Sequence, residues 1–343
     1  MLNYRLTDLA TPQGGAPRIL HGLATRAPLT FIRRAGELVW EVSTAAVLDR
    51  LAPLKGGVRE ALPGLAAPQG SSLALYLHWS PDGRISAMVQ RQIRLWRENR
   101  FDVVFITNAE QRPPAKDWAK MSNQCVLCIH RANVGRDFGA WRDGAALAIT
   151  QFGMPAELLL ANDSVLGPFK PIEPLIETWR DGGEGCFGLT ESLGGGAHLQ
   201  SYALLARGQG PVQCMLDHLA AFQDSRSKWR VVQQGEIGLS RRMREAGHRC
   251  AALFGYGGLI AQVDEATRRN LGPRFVEAEA LQTYPLNPCH HLWRVLIERM
   301  GYPYLKTELV RRNPGKLPGV SAWDELVPPM QAEMIRAHLA IMR

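Results

Sequence analysis

The segment with the most chemical content is AELLLANDSVLGP, at positions 156 to 168. Its apolar residues have the length of a strand, which ends abruptly at Asn162, Asp163 and Ser164. In open α/β sheets, ligands bind beyond the carboxyl ends of the strands, so Asp163 is expected to point into a crevice. A carboxylate beside an amide and a hydroxyl suits Mg²⁺ or Mn²⁺, which take oxygen ligands and bridge phosphates. We therefore predict that Asp163 is a metal ligand; the alternative is an Asx-turn that only ends the strand.

A second polar segment, IHRANVGRDFGAW, follows another apolar strand at positions 129 to 141. Its glycines let a ligand approach the backbone closely, and its arginines can pair with a diphosphate or with sugar hydroxyls. The alternative is a glycine-rich turn with a surface Arg–Asp pair. Because two polar strand ends occur in neighbouring units, a shared cleft is favoured. The candidate binding residues are Arg131, Asn133, Arg136 and Asp137.

Two further segments could supply acid–base chemistry or cover a substrate. In CFGLTESLGGGAHLQSY (186–202), a glycine triplet follows Glu191 and precedes His198, Gln200, Ser201 and Tyr202. This is typical of a mobile loop over a sugar site, and a surface hairpin tip explains it equally well. In QQGEIGLSRRMREAG (233–247), Glu236 would open a helix, where the macrodipole favours its charge. Glu236 is a candidate general base if it faces a cleft, and otherwise a helix cap.

The elements that must position these residues alternate between strands and helices. Short apolar runs at 73–79, 101–108, 124–129 and 157–161 predict four strands, and residues 85–96 and 141–149 have helical spacing. This rhythm predicts an α/β fold with a mostly parallel, Rossmann-type sheet covered by helices on both faces. Further strands are predicted at 186–190, 201–206 and 250–254, and further helices near 212–222 and 236–246.

The ends of the chain differ from this regular part. Residues 1–70 are rich in Gly and Pro and are predicted to be an N-terminal extension, in which only Glu37 to Leu51 could hold a strand and a short helix. Residues 71–260 are predicted to be the core, and residues 261–343 a helical, basic C-terminal region.

Composition narrows the class of protein. The 343 residues are 46% hydrophobic and carry a net charge of +8, which excludes general disorder. No apolar run is long enough to span a membrane, and no export signal is visible, so we predict a cytoplasmic protein. Six cysteines are too few for a disulfide scaffold and suit a reducing cytosol. No nucleic-acid-binding motif accompanies the basic charge, so we predict no nucleic-acid partner.

Seven stretches, taken in order, resemble the rhamnan synthesis protein F family, which comprises bacterial glycosyltransferases of cell-surface polysaccharide assembly. They are LYLHWSPDGRIS (75–86), HRANVGRDFGAW (130–141), LLLANDSVLGPF (158–169), FGLTES (187–192), HLQSY (198–202), GEIGLS (235–240) and HHLWRVLIERMGYPYLKTELVRRNP (290–314). The ordered set covers most of the chain, although each piece alone is weak.

The resemblance implies a GT-A-like fold and an inverting transfer of rhamnose, a deoxyhexose, from a nucleotide-diphosphate donor to a sugar hydroxyl. The donor would be dTDP-rhamnose or a GDP-sugar, and the acceptor a lipid-linked or oligosaccharide glycan. His78 and Asp82 would lie beside the base and ribose, and the four candidates of 131–137 would line the donor pocket. Asp163 would meet a divalent metal or the diphosphate. The base would be Glu236 or another acid such as Glu191.

A different class of function also fits this sequence. Asn162, Asp163 and Ser164 hold one carboxylate where a full metal motif has two, and Ile237 follows Glu236 where many inverting enzymes carry an acid. A non-catalytic, glycosyltransferase-like binding module in polysaccharide assembly would need neither.

The C-terminal region combines basic and aromatic residues. We predict peripheral contact with an anionic membrane there, at the inner face of the plasma membrane, because anionic lipids attract Lys and Arg. The alternative is a solvated basic helix with its aromatic residues in the core. The residues concerned are Arg294, Arg299, Lys306, Arg311, Arg312, Lys316, Trp293, Tyr302 and Tyr304.

Overall fold

The computed structural model describes residues 4–10, 28–52, 54, 56–277 and 279–342. Within this part of the chain the strands are β1 (Thr7–Asp8), β2 (Val58–Pro63), β3 (Ser72–His78), β4 (Asp102–Thr107), β5 (Leu127–Arg131), β6 (Glu157–Asn162), β7 (Val165–Leu166), β8 (Gly185–Ser192), β9 (His198–Leu199), β10 (Ala203–Arg207), β11 (Cys250–Phe254) and β12 (Leu305–Lys306).

Helices connect these strands and form the C-terminal part. The α-helices are α1 (Pro28–Leu51), α2 (Ala87–Glu98), α3 (Ala115–Ser122), α4 (Arg136–Phe152), α5 (Glu173–Asp181), α6 (Gln209–Ala221), α7 (Lys228–Val232), α8 (Gly238–Glu245), α9 (Tyr256–Ala261), α10 (Glu265–Leu271), α11 (Ala280–Thr283), α12 (Pro288–His291), α13 (Trp293–Met300), α14 (Thr307–Arg312) and α15 (Pro329–Ile341). A π-helix, Gln233–Ile237, joins α7 to α8, and 3₁₀ turns occupy Pro273–Phe275 and Val320–Leu326.

The strand order places a topological switch point at the centre of the sheet. The order is β1-β11-β8-β10-β6-β3-β4-β5-β2, with β9 paired to β8 and β7 paired to β12 in a separate ribbon. Strand β3 is parallel to β4 on one side and to β6 on the other. The chain therefore runs outward from β3 through β4 to β5 and then crosses back to β6. Crevices for ligands open at such a reversal, beyond the carboxyl ends of the two strands.

Alternate residues of the central strands face two separate cores. Tyr76 and Phe105 lie in the core that packs against α2, α5 and most of the C-terminal helices. Leu75 and Ile106 lie in the other core, against α4, α6 and α8. Because both faces are covered, β3, β4 and β6 are buried almost throughout, as expected for parallel strands between helical layers. The predicted α/β class, with a mostly parallel sheet and helices on both faces, is confirmed.

Two expectations for the ends of the chain are wrong. Residues 37–51 form no strand, because they belong to the single helix α1. The aromatic residues of the C-terminal cluster form no membrane surface, because Trp293, Tyr302 and Tyr304 are at most 4% exposed and pack in the first core. No helix within the described ranges is both long and apolar enough to cross a bilayer.

Candidate active site

Asp163 lies at the switch point, immediately after β6. The Trp79 backbone N–H, just beyond β3, donates to Asp163 Oδ2 at 2.9 Å, and the Asp163 N–H donates to the Leu77 carbonyl at 3.1 Å. The carboxyl group is therefore held between the ends of two parallel strands. Burial, together with the negative charge of Asp137, raises the pKa of Asp163 to about 7, although the Trp79 hydrogen bond opposes the shift.

Asp137 brings a second carboxylate to the same place from the first turn of α4. The Asn162 side-chain amide donates to Asp137 Oδ2 at 2.9 Å and thereby joins the two polar segments. Burial and the nearby Glu236 raise the pKa of Asp137, against the opposing effects of Lys306 and Arg136. We call Asp137 and Asp163 the acidic pair: the charge of Asp137 raises the pKa of Asp163, and a cation between them would oppose this effect.

Lys306 supplies a positive charge at the edge of the acidic pair. Its ammonium group donates to Ser164 Oγ at 3.0 Å and lies 4.7 Å from the centre of the Tyr202 ring. The position follows from the β7–β12 ribbon, in which Lys306 pairs with Val165 directly after the β6 loop. Sequence reasoning placed Lys306 in the membrane cluster, because no local pattern indicates a pairing across 142 residues.

Glu236 faces this site from the π-helix. Its Oε1 atom accepts a hydrogen bond from the Ser201 backbone N–H at 2.7 Å, and the residue is half-buried. No described residue donates to its Oε2 atom. The π-helix is held by Gly235, which packs against the Phe138 ring and whose carbonyl lies 3.1 Å from His218 Nε2. Single-turn π-helices often mark functional sites.

Glu191 holds two distant backbone segments together. Its two carboxylate oxygens accept hydrogen bonds from the backbone N–H groups of Ala10, at 2.7 Å, and Tyr256, at 2.9 Å. The side chain is 2% exposed. Both oxygens are therefore committed to fixing the start of the chain and α9 to the end of β8.

The Arg131 side chain also points into the protein interior. It is fully buried, donates to Asp143 at 2.8 and 3.0 Å, and bonds the Asn108 side chain and the Val134 carbonyl. Its role is to shape the turn before α4. Asn133 and Arg136, in contrast, are exposed on that turn.

The two residues predicted to lie beside the nucleotide base and ribose, His78 and Asp82, occupy different environments. His78 is 1% exposed and lies 3.0 Å from the Thr107 hydroxyl, and burial lowers its pKa to about 3. Asp82 lies at the surface and pairs with Arg84 in the turn before α2. His78 is therefore buried against β4 and is not exposed to a ligand.

The segment 186–202 is a β-hairpin. Strand β8 extends to Ser192 and pairs with β9, so the hairpin alternative describes it. His198 Nδ1 lies 2.7 Å from the Gly196 carbonyl. Gln200 and Tyr202 are buried in a polar network with Thr190 and Cys289. Ser201 reaches the site, through its backbone N–H on Glu236.

Comparisons with known proteins give remote relatives. No protein-family model matches the chain. The virulence protein VirA of Vibrio anguillarum is 29% identical over 210 residues, which are 57% of this chain and 65% of that protein. The uncharacterized protein y4gN of Sinorhizobium fredii is 24% identical over 215 residues, 60% of this chain and 54% of that protein. The chain thus matches less than two thirds of the length of either relative.

Among solved structures, the mannosyltransferase PcManGT of Pyrobaculum calidifontis, in complex with GDP-Man and Mn²⁺, aligns with a TM-score of 0.36 at 10% identity. The alignment covers 94% of this chain and 91% of that chain. A TM-score of this size is too low to bear on fold or function.

Proposed function

We propose that this protein is a glycosyltransferase that moves a sugar from a nucleotide-diphosphate donor to a hydroxyl group of an acceptor glycan. The observation that carries the proposal is the acidic pair, with Lys306 and Glu236, at the switch point of an α/β sheet. Ligands of such sheets bind there, and these residues meet the two chemical demands of the reaction. The leaving diphosphate needs positive charge, and the acceptor hydroxyl needs a base.

The acidic pair fits a divalent cation that is shared with the substrate. Within the described residues no cluster of three or more His, Cys, Asp or Glu could hold a metal alone. Mg²⁺ and Mn²⁺ are commonly bound by one or two carboxylates and by substrate phosphates, which is the donor set that Asp137 and Asp163 offer. When bound, the ion would neutralise charge on the diphosphate.

The remaining steps are assigned to side chains of this chain. Lys306 would bind the diphosphate and stabilise the charge that develops as its bond to the anomeric carbon breaks. Glu236 would accept the proton of the acceptor hydroxyl on its Oε2 atom while Ser201 holds Oε1. Arg136 and Asn133, exposed beside the acidic pair, would contact the donor.

The finer assignment follows the sequence resemblance. We propose a GT-A-like enzyme with an inverting mechanism, whose donor is dTDP-rhamnose or another nucleotide deoxyhexose and whose acceptor belongs to a growing cell-surface polysaccharide. A thermal-shift screen of nucleotide diphosphates and nucleotide sugars, with and without Mn²⁺, tests the donor. A ligand at one hundred times its Kd stabilises the native state by about 2.7 kcal/mol.

The substitution Asp163→Asn tests the site. The Asn side-chain oxygen can still accept from Trp79, and removal of a buried charge beside Asp137 relieves repulsion, so the melting temperature should be unchanged or higher. The Mn²⁺-dependent shift by the donor and the transfer of sugar should both be lost. The matched control is Asp324→Asn, which removes a surface acid paired with Arg336.

Two results would count against the proposal. Full transfer by a folded Asp163→Asn protein would remove Asp163 from the site. If the native protein binds the donor but neither transfers the sugar to an acceptor nor hydrolyses the donor, the result would favour the non-catalytic module.

A further inference from the structure

Helix α1 is attached to the body through its polar side. The Ser227 hydroxyl donates to Glu41 at 2.9 Å, and Asp49 accepts from Ser225 and Arg226, each at 2.8 Å. Ala45, one turn from either acid, is 4% exposed. At 100° per residue, these three residues share one side of the helix.

The opposite side of α1 is apolar and exposed. Five large side chains are 55 to 78% exposed, namely Ile32, Val39, Trp40, Val47 and Leu51. Helical geometry puts them within an arc of about 120° and along about 28 Å of the axis. We call these five residues the α1 stripe. Surface helices normally bury such a stripe and present their polar side to water, so α1 is inverted.

Charge along α1 follows the same division. Of the three acids in the helix, Glu41 accepts a hydrogen bond from Ser227 and Asp49 forms an ion pair with Arg226, so both are engaged on the side of the body. Arg33 and Arg50 lie within the arc of the α1 stripe, near its two ends, and both are exposed. Glu37, at the edge of the arc, pairs with Arg33 across 3.5 Å. The outward face is thus an apolar line with cationic ends.

We propose that the α1 stripe docks the protein on an anionic lipid surface, with Trp40 and its aliphatic neighbours in the interfacial region. Interfacial helices combine an apolar side that includes aromatic residues with Lys or Arg beside it, and they lie in the plane of the membrane. Arginines at both ends can extend their charged groups to lipid phosphates while their stems stay among the apolar side chains. The overall surplus of 40 basic over 32 acidic residues adds long-range attraction. This inference is independent of the proposed transfer reaction.

Vesicle flotation of the full-length protein tests the inference. The native protein should float with vesicles of phosphatidylcholine mixed with phosphatidylglycerol at low salt, and less with phosphatidylcholine alone. The double variant Trp40→Ser, Val47→Ser should bind roughly tenfold more weakly, because the apolar area available to the membrane falls. Its melting temperature should be that of the native protein, because both side chains are exposed in the folded state.

A matched control distinguishes this surface from general stickiness. Leu65 is 75% exposed and lies outside α1, so Leu65→Ser should float as the native protein does. Arg33→Gln with Arg50→Gln should remove most of the preference for anionic vesicles.

Three results would overturn the inference. One is no flotation of the native protein; another is equal flotation of the Trp40, Val47 double variant. The third is a dimer, measured by light scattering, that this variant dissociates, since the stripe would then contact a second copy of the chain.

Discussion

At the scale of single residues, hydrogen-bond partners separate the buried carboxylates into two groups. Asp163 has one backbone donor and faces another acid, so its charge is poorly satisfied. Glu191 has a backbone donor on each oxygen. A carboxylate of the first kind is available to a cation or a proton, whereas one of the second kind holds the fold together.

Glutamine substitutions should therefore have opposite effects at Glu191 and Glu236. Glu191→Gln turns an amide N–H towards a backbone N–H and should lower the free energy of unfolding by roughly 2 kcal/mol. Glu236→Gln keeps an acceptor for Ser201, so its melting temperature should stay near that of the native protein. Its rate of sugar transfer should fall by about a hundredfold or more, because the base is lost. Thermal melts and product assays on both variants check this. A stable but inactive Glu191→Gln protein would contradict it.

At the scale of elements, helix α4 carries Asp137 and is bounded by a glycine at each end. Gly135 precedes the helix with φ of +71°, and Gly153 follows it with φ of +77°. A Cβ at Gly135 would lie 1.9 Å from an Asp224 carboxylate oxygen, whereas a Cβ at Gly153 would meet nothing within 4 Å. Asp224 is held in turn by Arg142 of the same helix, at 3.1 Å. The turn that precedes Asp137 is therefore fixed both by its backbone conformation and by the Asp224 side chain.

The two glycines make a matched pair of substitutions. Gly153→Ala should cost about 1–3 kcal/mol of stability, because φ of +77° with ψ of −171° lies in a region that is essentially restricted to glycine. Gly135→Ala, in the left-handed region with φ of +71° and ψ of +7°, should cost about 1–2 kcal/mol for the backbone and about 1–3 kcal/mol more for the collision with Asp224. It should also weaken Mn²⁺-dependent nucleotide binding, whereas Gly153→Ala should leave it unchanged. Equal stabilities and equal binding would show that the contact with Asp224 does not position α4. Chemical denaturation and titration calorimetry measure the two quantities.

Local pattern was sufficient for the elements around β3 to β6. Their strands are continuous apolar runs because both faces of the sheet are buried. In α2, Val89, Ile93 and Trp96 recur at helical spacing because one side of the helix is buried. The same reasoning did not predict helix α1, because large apolar residues of this helix face outward while Glu41 and Asp49 face the body. Lys306 was missed because strand pairing at long range leaves no trace in a short window. The positions of Asp163 after a strand and of Asp137 in the polar segment that follows another strand were predictable, but the hydrogen bonds that distinguish Glu236 from Glu191 were not.

At the scale of the whole molecule, the C-terminal helix α15 returns to the start of the core. His338 of α15 is 1% exposed, and its Nδ1 atom lies 2.8 Å from the hydroxyl of Ser86, which caps α2. Burial, with a smaller effect of Arg311, lowers the pKa of His338 to about 4. The contact thus joins two distant parts of the chain through a histidine that is neutral when folded.

This contact should make stability depend on pH below neutrality. The pKa of His338 is about 6.5 in the unfolded chain, so the folded state binds fewer protons between pH 6.5 and 4. Its contribution is therefore complete above pH 6.5 and is lost as the pH falls, by about 3 kcal/mol in total. His338→Asn should reduce the loss of unfolding free energy over that range, both directly and because the charge of His338 no longer lowers the pKa of His78. Denaturation at a series of pH values checks this, and identical pH profiles would refute it.

The β7–β12 ribbon affects when the proposed site can form during synthesis of the chain. Lys306 is synthesised 142 residues after Ser164, with which it bonds, so the donor site proposed for this protein cannot form before residue 306 has been made. A chain emerging from the ribosome would carry its two carboxylates long before their cationic neighbour. Sugar transfer should then begin only after the β7–β12 ribbon has formed, so a partly synthesised chain would be inactive.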